Sequence, residues 1–248
     1  LIAIHPSQTS EIIILSHREF QPLPDPLPET PRIVAAIALL AMSSGLLDAV
    51  VYTQHGQVFA NAMTGNLVLL GVLFLSPDRR EIVRHLVPLA GFTAGVVFGK
   101  YLLRRHRSVS VVVALLLQTT VLCVAGFFAR RVPSYGLVAV LSITGAVIIT
   151  VIRKTGDVAF NITFMTGNLR AVIEGAFDAL FPPPAPAPPS PGVRQFLIVG
   201  ITCSGFLLGA VVGALSAQLI HERSFWISAL LLVAAGSLLR QVNTAADL

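Results

Sequence analysis

Eight apolar runs, divided by short polar or basic breaks, limit what this chain can fold into. They cover residues 33–53, 63–75, 82–103, 109–129, 134–152, 164–180, 195–220 and 225–239. A helix that crosses a hydrocarbon core about 30 Å thick needs roughly 20 mostly apolar residues, and several of the runs meet that length. The run 63–75 is the clear exception, because at 1.5 Å per residue it reaches only about 20 Å. Charged residues make up 12% of the chain and hydrophobic residues 54%, whereas soluble domains carry about a quarter charged residues. The expectation is an all-α, polytopic membrane bundle of six to eight membrane helices. The second and sixth elements are short.

The net charge of +5 does not require a nucleic-acid partner. The basic residues cluster between apolar runs, at Arg79, Arg80 and Arg84, at Lys100, Arg104 and Arg105, at Arg130 and Arg131, and at Arg153 and Lys154. Such flanking charges orient helices in a bilayer. Cys123 and Cys203 offer neither a metal spacing nor a disulfide framework and read as small buried hydrophobes. Residues 1–31 read as a disordered polar tail, and residues 182–191 (PPPAPAPPSP) as an extended loop, because proline removes the helix donor and restrains its neighbour. Residues 242–248 read as a short C-terminal tail.

Self-comparison divides the chain in two. Met63-Thr64-Gly65-Asn66-Leu67 recurs as Met165-Thr166-Gly167-Asn168-Leu169, and Gly91, Gly95 and Gly99 recur as Gly205, Gly209 and Gly213. The offset grows between the two matches, where the proline loop is inserted. The expected organisation is a first membrane repeat over 32–131 and a second over 132–241. If every element crosses, the halves are parallel; if the short element enters and leaves on one side, they are inverted. Under the second arrangement, eleven of the seventeen Lys and Arg residues fall on the N-terminal side. That bias favours a cytoplasmic N-terminus, and the plasma membrane is the expected location.

The candidate site residues follow from the same pattern. Met-Thr-Gly-Asn opens a short helix in each half. Thr is a good N-cap, Gly permits close approach, and Asn both donates and accepts. A helix that starts inside a membrane presents unpaired N–H groups and a positive dipole end, which suits a polar or anionic solute. Asp48 is costly inside a span and marks a pathway or a buried pair; Asn61 follows it closely. The candidate substrate-binding set is therefore Asp48, Asn61, Thr64, Gly65, Asn66, Thr166, Gly167 and Asn168. The competing reading is that Thr, Gly and Asn pack and hydrogen-bond a helix seam. Gly91, Gly95, Gly99, Gly205, Gly209 and Gly213 read as close-packing faces, between the halves or between subunits. Arg170, Glu174 and Asp178 form a charged stripe that fits water or the interface better than lipid. No metal, nucleotide or nucleophile motif occurs in the sequence; no cofactor is expected, and enzymatic activity is not.

The stretch Gly45-Leu-Leu-Asp48-Ala49, with Phe59 and Met63-Thr64-Gly65-Asn66, resembles the first signature of the YoaK family, also called domain of unknown function 1275. Arg153, Gly156-Asp157-Val158 and Phe164-Met165-Thr166-Gly167-Asn168-Leu169 resemble the second. The resemblance covers roughly residues 33–240 and implies a multi-pass membrane protein with about six or seven spans. It implies no activity. Family second halves often carry a Gln-Asn pair after the position of Gly145, where this chain has Ala146-Val147-Ile148. Two functions remain open: a transporter or permease of a small polar or anionic solute, and a membrane scaffold or partner-binding subunit, with homo-oligomers compatible with either.

Overall fold

The computed structural model describes residues 31–75, 78–106, 109–152, 154–155, 158–159, 165–181 and 193–246. The expected tail, proline loop and most of the segment before the second Met-Thr-Gly-Asn lie outside the described residues. Those described form eight α-helices: α1 Pro31–Gln54, α2 Met63–Leu73, α3 Arg79–Arg105, α4 Ser110–Phe128, α5 Ser134–Val151, α6 Met165–Leu180, α7 Val193–Ile220 and α8 Ser224–Ala246. A two-residue hairpin, Lys154–Thr155 with Val158–Ala159, precedes α6. Five apolar stretches are long enough to cross a bilayer, and the fifth, Phe196–Arg240, spans both α7 and α8. Those two helices reverse at the 3-10 turn His221–Arg223, where His221 takes φ 54°.

Local chemistry accounts for the helix ends. Pro31 stands at the first turn of α1, where its missing N–H costs nothing. Asp78 caps α3, its side chain accepting from the Arg80 N–H at 2.9 Å, with Glu81 in the first turn and Arg104 and Arg105 in the last. Those signs complement the helix dipole. Gly56, with φ +93°, and Gln57, with φ 57°, turn the chain out of α1; a β-carbon at Gly56 would lie 2.6 Å from Arg84 Cδ.

Packing registers give the helix directions. Gly91 lies against Ala139 and Ser142, Gly95 against Ile143 and Ala146, and Gly99 against Thr150, so α3 and α5 run parallel. Gly205 lies against Ala38, Gly209 against Met42 and Gly213 against Leu46, so α1 and α7 also run parallel. Trp226 covers Gly126, and Leu115 reaches Gly236, so α4 and α8 are antiparallel. His55 at the end of α1 meets Ser134 at the start of α5 at 3.5 Å and stacks on Phe225 at the start of α8, so α5 and α8 both oppose α1. The long helices thus alternate: α1, α4 and α7 point one way, and α3, α5 and α8 the other. All six repeated glycines meet another helix of the same chain, which selects helix–helix packing within one chain over packing between subunits.

Apolar side chains cover the outside of the bundle, as lipid permits. Cys123 is itself exposed and Cys203 half-exposed, which corrects the expectation that both are buried. In a bilayer the exterior is as apolar as the core, so an apolar residue gains no special advantage from facing inward. On α6, Arg170 and Glu174 pair at 2.7 Å on an exposed surface.

Candidate polar site at mid-membrane

After α1 the chain does not leave the bundle. It turns at Gly56 and runs back along the helix it has just left. The Asn61 N–H donates to Asp48 Oδ1 at 2.7 Å, and Asn61 Nδ2 donates to Ser44 Oγ at 3.1 Å. From Gln54 back to Ser44 the rise of α1 is about 15 Å, half the thickness of a hydrocarbon core. The first turn of α2 therefore starts about 15 Å back along α1, and α2 returns to the end from which the segment came, where α3 begins with Arg84 over Gly56. In the second half, Gly175 of α6 lies against Phe196 and Gly200 faces Val172. This antiparallel register along α7 puts Met165 deeper than Leu180.

The helix start in the first half is filled by the protein itself. The N-cap of α2 is Ala62, with no side-chain cap, which corrects the expectation that the motif threonine caps it. The carboxylate of Asp48 on α1 instead holds the segment just before α2, accepting from the Asn61 N–H and facing the backbone amides of Ala60 and Ala62. Asp48 is 3% exposed, and no ion pair to it occurs among the described residues. It is neither wetted at a helix end nor matched with an arginine.

The motif residues act mainly on their own segment. Asn66 is fully buried; its Oδ1 accepts from the Phe59 N–H at 2.9 Å, and its Nδ2 donates to the Phe59 carbonyl at 2.7 Å. This one amide pairs a backbone unit that no helix or sheet serves. Gly65 carries the Phe59 ring, and a β-carbon there would sit 2.7 Å from ring carbon Cε2. Thr64 and Thr166 are exposed, Gly167 is half-buried and Asn168 is buried. Thr64, Gly65, Asn66, Thr166, Gly167 and Asn168 are not among the residues that line the central cavity. The helix turn carries each threonine outward, and Phe59 consumes the amide of Asn66.

The residues brought together instead are Asn61, Ser43 and Ser44 from the first half's α1 and re-entrant segment, Gln118 from α4, and Gly145 from α5. They enclose a cavity of about 30 Å³ closed by Leu40, Leu47, Ile148 and Leu232. That is enough room for a water molecule. A β-carbon at Gly145 would overlap Asn61 Oδ1, so glycine is what lets the re-entrant segment reach α5. Asn61 Oδ1, Gln118 Oε1 and Asp48 Oδ2 have no hydrogen-bond partner among the described residues. Buried polar atoms are nearly always partnered, so the two of these that line the cavity, Asn61 Oδ1 and Gln118 Oε1, suit a polar donor there. Ser43 and Ser228 close the cluster on the α8 side, with oxygens 2.7 Å apart. Sequence reasoning missed Gln118 and the serines. The signal available was a lone glutamine within the apolar run 109–129.

The family model described as "Protein of unknown function (DUF1275)" matches residues 36–238. The UPF0700 transmembrane protein YoaK of Bacillus subtilis (strain 168) is 25% identical over 203 residues, covering 79% of this chain and 89% of that protein. No solved structure matches. The re-entrant segment, the buried Asp48 and the cavity all lie within the matched region, and the chain belongs to the DUF1275 family of multi-pass membrane proteins.

Proposed function

We propose that this protein is a permease for a small polar solute, built from two inverted repeats, with the Asp48–Asn61–Gln118 cluster as its central site. One observation carries the reading: Asn61 Oδ1 and Gln118 Oε1, both without a partner among the described residues, line a water-sized cavity, and the buried Asp48 holds Asn61 beside it. Polar groups within a membrane are expensive and characteristically mark a pathway. The helix pairing supports the repeat. The third helix of each half packs on the first helix of the other, and the fourth helices pack together with opposite directions. Short helices that begin near the midplane at matching positions are the pattern of transporters whose site lies on a pseudo-twofold axis. The N-terminus is assigned to the cytoplasm, since eleven of the seventeen Lys and Arg residues then face inward, and the plasma membrane is the assigned compartment.

The solute class narrows from the sequence expectation. The unpartnered atoms in the cavity wall, Asn61 Oδ1 and Gln118 Oε1, are acceptors, so a neutral polar or cationic solute that donates fits this cluster better than an anion. Glycine seams let the halves approach tightly and provide the surfaces on which one half would rock against the other. The test is uptake of small neutral polar solutes, and of protons by a pH-sensitive dye, into vesicles containing the purified chain. Uptake should exceed that of empty vesicles and fall at least tenfold in Asp48→Asn and in Gln118→Ala. Equal fluxes in protein-containing and empty vesicles would sink the permease reading. One observation favours the scaffold alternative: Asn66 is spent on the backbone of Phe59, as a purely structural motif requires. That reading expects a sealed interior and a stoichiometric partner after gentle extraction.

A further inference from the structure

We propose that the cleft between the end of α1 and the start of α5 binds a small oxyanion, of the phosphate or carboxylate kind. The cleft measures about 280 Å³, opens at the end of the bundle opposite the start of α1, and is lined by His55, Gly56, Arg84, Ser134 and Tyr135 with Val58 and Val138. It is separate from the central cavity: Val138 and Gly145 are about 10 Å apart along α5. The inference does not rest on the permease reading.

Three donors of different origin converge there. The first is the start of α5, an 18-residue helix whose N-cap is Pro133 and which has no side-chain cap. An uncapped helix start offers free N–H groups and the positive end of a dipole. The second is Arg84. Its Nη1 is held by Glu81 at 2.6 Å, which takes one of the five guanidinium N–H donors and leaves the rest of the fork. The third is His55, 5% exposed, whose Nδ1 lies 3.5 Å from Ser134 Oγ and whose Nε2 has no partner among the described residues. A buried ring nitrogen without a partner in the wall of a cleft is the observation that a helix start alone would not supply. The acidic groups nearby are engaged: Glu81 with Arg84, and Glu222 with Arg130 at 2.6 Å. A dianion is therefore met by more free donors than acceptors.

The same phosphate chemistry is available from free phosphate and from a lipid headgroup, since the cleft opens at the bilayer surface. The experiment uses the full chain purified in a neutral detergent. Binding of inorganic phosphate is followed by broadening of its phosphorus resonance, and retention of phosphatidylglycerol over phosphatidylcholine is measured in mixed-lipid nanodiscs. Saturable broadening without lipid preference identifies free phosphate as the source. Lipid preference, with broadening only after delipidation, identifies the headgroup. In either case Arg84→Gln should weaken binding about tenfold, the loss of one charge-assisted hydrogen bond, and His55→Ala should weaken it less. Arg131→Gln should leave it unchanged. If Arg84→Gln does not fold, the wild-type titration still decides: neither broadening nor lipid preference overturns the site. So does a loss in Arg131→Gln as large as that in Arg84→Gln.

Discussion

At the scale of single residues, the first Met-Thr-Gly-Asn is a device for holding a backbone turned back into the membrane. Removing the amide in Asn66→Ala leaves a buried N–H and a buried carbonyl of Phe59 without partners, at about 1–3 kcal/mol for each. A clear fall in the thermal midpoint of the detergent-solubilised protein is the expected result, while Thr64→Ala, at an exposed site, should change it little. Gly145 offers a sharper test. Gly145→Ala drives a methyl into Asn61 Oδ1 and should destabilise. The double change Asn61→Ala with Gly145→Ala should recover part of that loss, giving a coupling energy in a double-mutant cycle. His55 adds a pH signature. Burial pushes its imidazole below the ordinary histidine value, with Glu222 opposing. The unfolded chain therefore takes up the proton first, and the stability contribution is present above about pH 6.5 and lost as pH falls through that value. Between pH 7.5 and 5.5 in phosphate-free buffer, the wild-type midpoint should fall further than that of His55→Gln.

At the scale of helices, much was legible from spacing alone. Three glycines at intervals of four put small residues on one face, and those faces do pack against other helices. What spacing did not specify is the partner. Each glycine face meets α1 or α5, which are far away in the chain. Gly95→Val and Gly209→Val should each force two backbones apart and lower the yield of monodisperse protein, since a β-carbon at either site overlaps the carbonyl of Ile143 or Met42. Gly71→Ala has open space around it and should be neutral or gain up to about 1 kcal/mol from helix propensity. The candidate site was less legible. Asp48 and Asn61 stood out because polar groups in an apolar run are conspicuous, but their assembly with Gln118 depends on three helices meeting. The motif threonines face outward although they lie two positions from the buried Asn66 and Asn168, because a helix turns each successive residue by about 100°.

At the scale of the whole molecule, the six alternating long helices bring the end of α8 to the end of the bundle at which α1 starts. Single cysteines at Arg79 and Arg131, in a background with Cys123→Ala and Cys203→Ala, should react with an impermeant thiol reagent added to intact cells. Cysteines at Arg105 and Arg240 should react only after permeabilisation. Labelling of all four positions from one side would require a different number of crossings. Sequence by itself determined that this chain belongs in a bilayer and which polar residues are out of place in lipid. These follow from composition and period, which act locally and need no partner. Tertiary structure alone decided that the chain after α1 turns back along that helix, that Asp48 accepts from the Asn61 amide, and that Gln118 joins Asn61 around a cavity. The reason is that lipid rewards inward- and outward-facing apolar residues alike, so hydrophobicity cannot say which faces meet. Only close backbone approach at glycines and the pairing of buried polar groups make that choice.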